Sequence, residues 1–359
     1  MPTVIKTIIK DTYYLTSRFP VVSATTDKLC VTVSLSCDNA GNDDTFFSTT
    51  LYSFGGTVEL ADAGSLIEQY FRNTRKVLDT VTFTFDDVSV SAKVLFCEYS
   101  TVLDYNPEST LFLAADVQRV HQDSVVAFAA YDRGASVPFV IKAYGHRKSD
   151  GAITLVTKSE TRSLANANTT YFSVPTLLRW ALGLTADDPG VELDDVLYFT
   201  IAYGPLQKTC YIVPAPAYLT FSFLNIFNVS EFIDIVGTMT SKTEVTRNTA
   251  RCGGESRQYD RVVSRSYQVE TEPVPSSEIP VFEQFLASPG ISLFLGTDDY
   301  PVIITDHTSE PSNDDSSLTT FKFTWRFADS RPMVFDSLTH GYIPERRRIF
   351  DNTFSSEYA

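Results

Sequence analysis

The chain is 359 residues long, carries a net charge of −15, and is 43% hydrophobic and 13% aromatic. That length suits two or three domains of about 100–150 residues, and the apolar content excludes a disordered chain. The acidity argues against a dedicated nucleic-acid surface, and no run of about 18 apolar residues is present to span a membrane.

The N-terminal stretch MPTVIKTIIKDTYYLTSRF has no apolar core of about 7–15 residues and no small-residue cleavage site, so synthesis in the cytosol without a signal peptide is expected. Abundant Phe and Tyr, with recurring Thr and Val, lean to β structure. The five cysteines, Cys30, Cys37, Cys97, Cys210 and Cys252, are odd in number and lack CxxC spacing, which predicts mostly buried thiols rather than a metal or disulfide framework.

The fold class expected is mainly β: tandem sandwich- or barrel-like domains with a few short helices and one long β-hairpin in the C-terminal domain. Residues 1–105 read as a first β-sandwich-like domain. LCVTVSLSC (29–37) alternates, DNAGNDD (38–44) is a turn cluster, and FFSTTLYSF (46–54) with TVELAD (57–62) reads as a hairpin about Gly55-Gly56. A short helix follows, capped by Asp62 and burying Leu66, Ile67, Tyr70 and Phe71. Residues 81–99 read as a hairpin turning at Asp86-Asp87.

Residues 106–214 read as a second β-sandwich-like domain. Its strands fall at 124–131, 137–146, 153–159, 196–204 and 208–214, and a helix is opened by Ser173 and Pro175. After a stiff Pro214-Ala215-Pro216 linker, residues 215–334 read as a third β domain built around the long hairpin 238–271. It holds a strand at 217–227, a helix capped by Ser277, and strands at 292–296, 301–308 and 321–328, the last with Phe321, Phe323, Trp325 and Phe327 on one face. Residues 335–359 form a C-terminal arm studded with Phe335, Tyr342, Ile343, Ile349, Phe350, Phe354 and Tyr358, which predicts packing on its own domain or a neighbouring subunit.

The hairpin at 238–271 is the chain's most distinctive stretch. Two alternating arms of about 13 residues, roughly 40 Å at ~3.3 Å per residue, flank Cys252-Gly253-Gly254. Pairing about Gly254 sets Met239 opposite Val269 and Val245 opposite Val263; pairing about Gly253 sets Met239 opposite Tyr267. The pattern fixes the face but not the register. Residues 242–265 hold six cations (Lys242, Arg247, Arg251, Arg257, Arg261, Arg265) against Glu244, Glu255 and Asp260, or +3 within an acidic protein. Those six residues are assembly-interface candidates, as are Arg346, Arg347, Arg348, Ile349, Phe350 and Phe354 of the arm. Opposite charge on a projecting element suits docking on another copy or a neighbour.

Catalytic signatures are missing: there is no GxxxxGK[ST], HExxH, GxSxG, SxxK or paired CxxC. His121, His146, His307 and His340 lie far apart. The acid pairs Asp43-Asp44, Asp86-Asp87, Asp187-Asp188, Asp194-Asp195, Asp298-Asp299 and Asp314-Asp315 lack calcium-loop spacing and fall at expected turns. The expectation is no enzyme, no cofactor and no metal. Tyr13, Tyr14, Tyr99 and Tyr300 are the aromatic candidates for stacking on a host glycan.

The run FLNIFNVSEFIDIVGTMTSKTEVTRNTARCGGESRQYDRVVSRSYQVETEPV, followed by FEQFLASPGISLFL, PVIITDHT and FKFTWRFAD, resembles virion proteins encoded by phages and prophages of gut Bacteroidales. The resemblance rests on SKTEVTRNTA, the Cys252-Gly253-Gly254 turn, Tyr259-Asp260 and SYQVET, and it covers about a third of the chain. It implies a tail-tip or baseplate component built of tandem β domains that assembles as a ring, in outline similar to the tail-tube module. The expected function is therefore a structural virion protein in the phage tail, partnered by copies of itself and neighbouring tail proteins. The alternative is a carbohydrate-binding or adhesin protein for host attachment.

Overall fold

The computed structural model describes residues 3–6, 13–39, 42–99, 107–121, 123–131, 137–146, 153–161, 169–181, 196–213, 219–295, 298–308 and 319–329. The architecture is mainly β, with several multi-stranded sheets and three short α-helices among the described residues.

The N-terminal part contains β1 (Val4–Ile5), β2 (Tyr13–Leu15), β3 (Val22–Thr25), β4 (Cys30–Asn39), β5 (Asn42–Tyr52), β6 (Thr57–Leu60), α1 (Ala63–Thr74), β7 (Leu78–Phe85) and β8 (Val88–Leu95). They form a three-stranded sheet β1-β3-β6 and a five-stranded sheet β2-β8-β7-β4-β5. Alternate residues of β4 (Val31, Val33, Leu35, Cys37) share one buried cluster with Val22, Ala24, Val58 and Leu60 of the smaller sheet and with Ile67 and Phe71 of α1. β7 and β8 turn at Asp86, which sits at φ 52°. Its carboxylate accepts from the Thr32 N–H (2.9 Å) and from Lys28 Nζ (2.6 Å), tying the turn to β4.

Three local expectations are corrected here. Gly55 and Gly56 do turn the chain, but β5 and β6 are not a hairpin: they meet only at the Phe54–Thr57 bridge, and β6 pairs with β3 in the other sheet. Changing sheets lets Val58 and Leu60 face the core from the side opposite β4. The acidic stretch expected as a turn is largely strand, since Asp38 pairs with Asp43 and Asn39 with Asn42. Asp62 precedes α1 as expected, but its side chain makes no capping hydrogen bond.

The middle part contains β9 (Val117–His121), β10 (Val125–Ala129), β11 (Pro138–His146), β12 (Ile153–Thr161), β13 (Thr169–Ser173), α2 (Val174–Ala181), β14 (Val196–Tyr203) and β15 (Leu206–Val213). A five-stranded sheet β12-β11-β14-β15-β9 faces the two-stranded β10-β13 pair. Strands β9 and β13 had no sequence forecast. Each is five residues long with mixed polarity, and β9 is held by parallel pairing to β15, a non-local contact.

The C-terminal part contains β16 (Leu219–Leu224), β17 (Ser230–Ile235), β18 (Gly237–Cys252), β19 (Glu255–Thr271), α3 (Ile279–Ala287), β20 (Ile291–Leu295), β21 (Asp298–Thr308) and β22 (Lys322–Phe327). All seven strands form one sheet, β17-β16-β20-β21-β22-β19-β18. α3 covers one face: the Phe285 ring lies 5.3 Å from Phe221 and 5.5 Å from Phe323, and Phe282 stacks on Phe321 at 4.8 Å. The aromatic alternation of β22 is thus core-facing, as the pattern predicts. Two more corrections apply. The residue before α3 is Glu278, not Ser277, and its carboxylate is taken by Arg119 of β9 (3.0 Å) rather than by the helix. Asp298 and Asp299 open β21 instead of making a turn, paired with Leu295 and Phe294.

The turn between β16 and β17 touches all three parts. Asn225 Oδ1 accepts from the N–H groups of Phe227 and Val229, while its Nδ2 donates to Phe112 O (2.9 Å) and to Glu231 (2.7 Å). Asn228, at φ 63°, donates to Phe71 O (2.8 Å) at the end of α1, and the Glu98 N–H donates to Ile226 O (3.0 Å). Phe227 and Val229 belong to the middle cluster, whereas Leu219, Phe221 and Ile233 belong to the C-terminal one. Beside the turn lies a buried pair: Glu231 accepts from the Ala114 N–H (2.7 Å) and faces Lys208 Nζ at 3.9 Å, and Lys208 donates to Ala127 O.

Burial pushes the Glu231 carboxyl up, opposed by Lys208, the Ala114 N–H and Asn225. The folded state therefore holds this proton more tightly than the unfolded chain. The carboxyl's contribution to stability is full below the ordinary glutamate range and falls as pH rises through the folded value. Lys208→Met strands the buried carboxylate and should cost about 3–5 kcal/mol in urea denaturation at neutral pH. Part of that loss should return at about pH 5, and most of it in the Lys208→Met/Glu231→Leu double variant. A deficit that stays constant with pH refutes the assignment.

Candidate functional site: the arginine face of a projecting hairpin

β18 and β19 run for 16 and 17 residues, longer than the arms the alternation marks. Their inner halves take the register about Gly254, with Met239 opposite Val269 and Val245 opposite Val263. The outer halves are shifted by one: Asn248 pairs with Asp260 but Thr249 pairs with Gln258, which leaves Tyr259 as the extra residue of a β-bulge. The shift closes the ribbon on a two-residue turn, Gly253 at φ 60° and Gly254 at φ 89°, positive values that suit a primed turn and that a side chain would resist.

β22 reaches β19 only at Tyr267–Glu270. There the Tyr267 ring stacks on Trp325 at 4.4 Å, with both residues buried. Beyond that seat the described strands pair only with each other, and every position of β19 from Glu255 to Val262 is exposed. At the root, Gly237 abuts β19 so closely that an added Cβ would lie 2.2 Å from Glu270 O and 2.8 Å from Thr271 Cα.

The register sorts the charges by face. Arg247 stands directly opposite Arg261, and Arg251 and Arg265 lie four residues from them on the same face, with Val245 opposite Val263 between. That face carries four cations and no anion. The other face carries Lys242 and Arg257 against Glu244, Glu255 and Asp260, and here the charges are matched. Lys242 pairs with Glu244 (2.6 Å), Arg257 with Glu255 (3.6 Å), and Asn248 donates to Asp260 (3.2 Å). The Lys242–Glu244 hydrogen bond raises the lysine pKa and lowers that of the glutamate. Arg265 Nε, at the base of the arginine face, is buried and has no hydrogen-bond acceptor among the described residues. The expected six-residue basic hairpin is therefore two unlike surfaces, a distinction that needs the register.

Arg346, Arg347, Arg348, Ile349, Phe350 and Phe354 lie outside the described residues. Of the glycan candidates, Tyr13 packs on Tyr131 (5.5 Å), Tyr14 on Phe19 (5.2 Å) and Tyr300 on Phe327 (6.3 Å); Tyr99 is exposed. Among the described residues the most exposed large apolar groups are elsewhere. Leu29, Tyr52 and Phe54 lie around the Gly55-Gly56 turn, with Phe54 92% exposed. Of the cysteines, Cys37, Cys97 and Cys210 are buried thiols and Cys30 is exposed. Among the described residues no three His, Cys, Asp or Glu side chains converge on a metal-sized site, and no helix is long and apolar enough to cross a membrane.

No protein-family profile matches the chain, and no curated protein does. Solved structures that align with it include a chain from the tail of an empty gene transfer agent particle, 14% identical over 33% of this chain and 96% of that one, with a TM-score of 0.22. A chain from the virion of a native gene transfer agent particle is 14% identical over 33% and 95%, with a TM-score of 0.20. A chain from the complex of Dpr2 Ig1-Ig2 with DIP-Theta Ig1-Ig3 is 9% identical over 91% and 90%, with a TM-score of 0.17. Overlaps at these TM-scores carry no argument about shared role, and the Bacteroidales link of the sequence resemblance finds no support in them.

Gly237→Ala forces the backbones of β18 and β19 apart at the seat. It should cost about 1–3 kcal/mol, as overpacking does, and hydrogen exchange should rise along 238–271 before the rest of the sheet. Unchanged protection there refutes the seat.

Proposed function

We propose that the chain is a structural subunit of a phage-type tail that acts by protein–protein assembly, with the β18–β19 ribbon as its assembly arm. One observation carries this reading: the ribbon projects beyond any core of its own while holding four unmatched arginines on one face. An isolated two-stranded hairpin is marginal in water, and like charges set directly opposite each other destabilise it further. A contact made outside the chain offsets both costs. The tail assignment itself draws on the sequence resemblance of the C-terminal third, and its finer form is a tail-tip or baseplate ring subunit. Its partners are other copies and neighbouring tail proteins, and its place is the virion, with no catalytic step, cofactor or metal in its role. Light scattering after size exclusion tests this. The 40.0 kDa chain should run as an oligomer or enter a complex with products of adjacent genes. A monomer in every mixture overturns the proposal.

A second reading, host attachment through a glycan, draws on the exposed Tyr52 and Phe54. Rings stacked on sugar faces contribute to such binding. In that case glycan-array signal should survive loss of the hairpin and vanish in Tyr52→Ala/Phe54→Ala. No signal with the intact chain rejects it.

A further inference from the structure

We infer that the face bearing Arg247, Arg251, Arg261 and Arg265 docks on a carboxylate-bearing surface of a second copy of this chain, with Arg265 as its innermost anchor. This rests on the assembly reading above and names the surface and the partner.

The argument begins with the order of groups along the ribbon. From base to tip the face presents Arg265, then the Val245–Val263 pair, then Arg247 beside Arg261, then Thr249 with Gln258, then Arg251. From the level of Thr243 to that of Arg251 the stripe spans eight residues, about 26 Å at ~3.3 Å per residue. Charged groups flanking a small apolar pair is the composition of a docking surface with a dry centre and a polar rim. On the opposite face each of the two cations already has a glutamate. The ribbon thus neutralises one face with its own residues and leaves the other to something else.

One buried donor points to an acceptor from outside. Arg265 Nε, at a half-buried position where the ribbon leaves the core, lacks a hydrogen-bond partner among the described residues. Leaving a buried donor unsatisfied costs about 1–3 kcal/mol, and more for a charged group. A guanidinium meets a carboxylate with two parallel hydrogen bonds, the strongest form of that contact.

Charge identifies the partner as another copy. The whole chain carries −15 and residues 242–265 carry +3, so the remainder carries −18. Any second copy offers an acidic body to the arginine face, and the same field repels a polyphosphate from the subunit as a whole.

The test uses two full-length variants with equal charge change on opposite faces. Arg247→Glu/Arg261→Glu replaces one like-charge pair by another, so the ribbon's internal repulsion is retained. Lys242→Glu/Arg257→Glu makes the same change on the neutralised face. Sedimentation velocity at low and high salt measures self-association, and circular dichroism checks folding. Wild type should self-associate, more weakly as salt rises. The arginine-face variant should lose about tenfold or more in association and the control less than about twofold, the scale set by losing desolvated rather than rim charges. Arg265→Lys, which keeps the charge but removes the fork, should weaken association by about threefold or more. Equal losses from both faces, or none from the arginine face, overturn the inference. Wild type that is monomeric alone but joins a neighbouring tail protein overturns it too, while leaving the assembly role standing. Fluorescence anisotropy with a 30-base-pair DNA duplex is the remaining arm: binding by wild type that the arginine-face variant abolishes, without self-association, replaces the carboxylate surface with a phosphate one.

Discussion

The buried pair of Glu231 and Lys208 is the constraint around which the three parts are arranged. Neither charge is stable in an apolar interior alone, and removing one partner leaves the other uncompensated. Each is placed by a different sheet, Glu231 by β17 and Lys208 by β15, so the pair forms only when the C-terminal sheet and the middle one are in register. The remaining capacity of Glu231 is filled by the Ala114 N–H and Asn225 Nδ2. Asn225 in turn shapes the 225–229 turn from which Asn228 reaches the end of α1. One polar network thus links the cores that hydrophobic burial builds separately. Polar contacts of this kind specify an arrangement more than they add stability.

The hairpin obeys a different physics. Its seat is conventional core: Tyr267 and Val269 are buried, with Trp325 stacked on Tyr267. Past the seat there is no core, and the ribbon is held by its own ladder, a two-residue glycine turn and the bulge at Tyr259. A bulge increases local twist and re-aims the residues beyond it. Here it carries Arg257, which shares the parity of Arg261, to the opposite face beside Glu255 while letting the ribbon close on Gly253-Gly254. The outcome is a rigidly rooted arm whose two faces differ by five charges.

Legibility in the sequence followed how local each feature is. The alternation of β4, β11, β14 and β22 marked those strands because a period of two is imposed by a single buried face. The helices at α1, α2 and α3 were legible from spaced apolar residues. Asp62 and Ser173 stand before α1 and α2 as the sequence predicts, but α3 is preceded by Glu278, whose carboxylate is drawn off by Arg119, 159 positions away in sequence. Strands β9 and β13 are not marked by the sequence because partners distant in sequence hold them, β15 and β10 respectively. The β5–β6 hairpin was misread because Gly-Gly marks a reversal of direction and says nothing of which sheet the chain enters next.

For the hairpin, the sequence by itself determined that two long arms meet at a glycine turn, which residues share a face within the first arm, and that the element is basic inside an acidic protein. These are properties of order and composition, and they survive any register. The tertiary structure decided the rest. A one-residue slip or a single bulge changes which cations face one another, and only cross-strand pairing sets Arg247 against Arg261 and leaves Lys242 and Arg257 beside their glutamates. Charge on a strand is written in the sequence; whether it is matched depends on what the neighbouring strand brings opposite it.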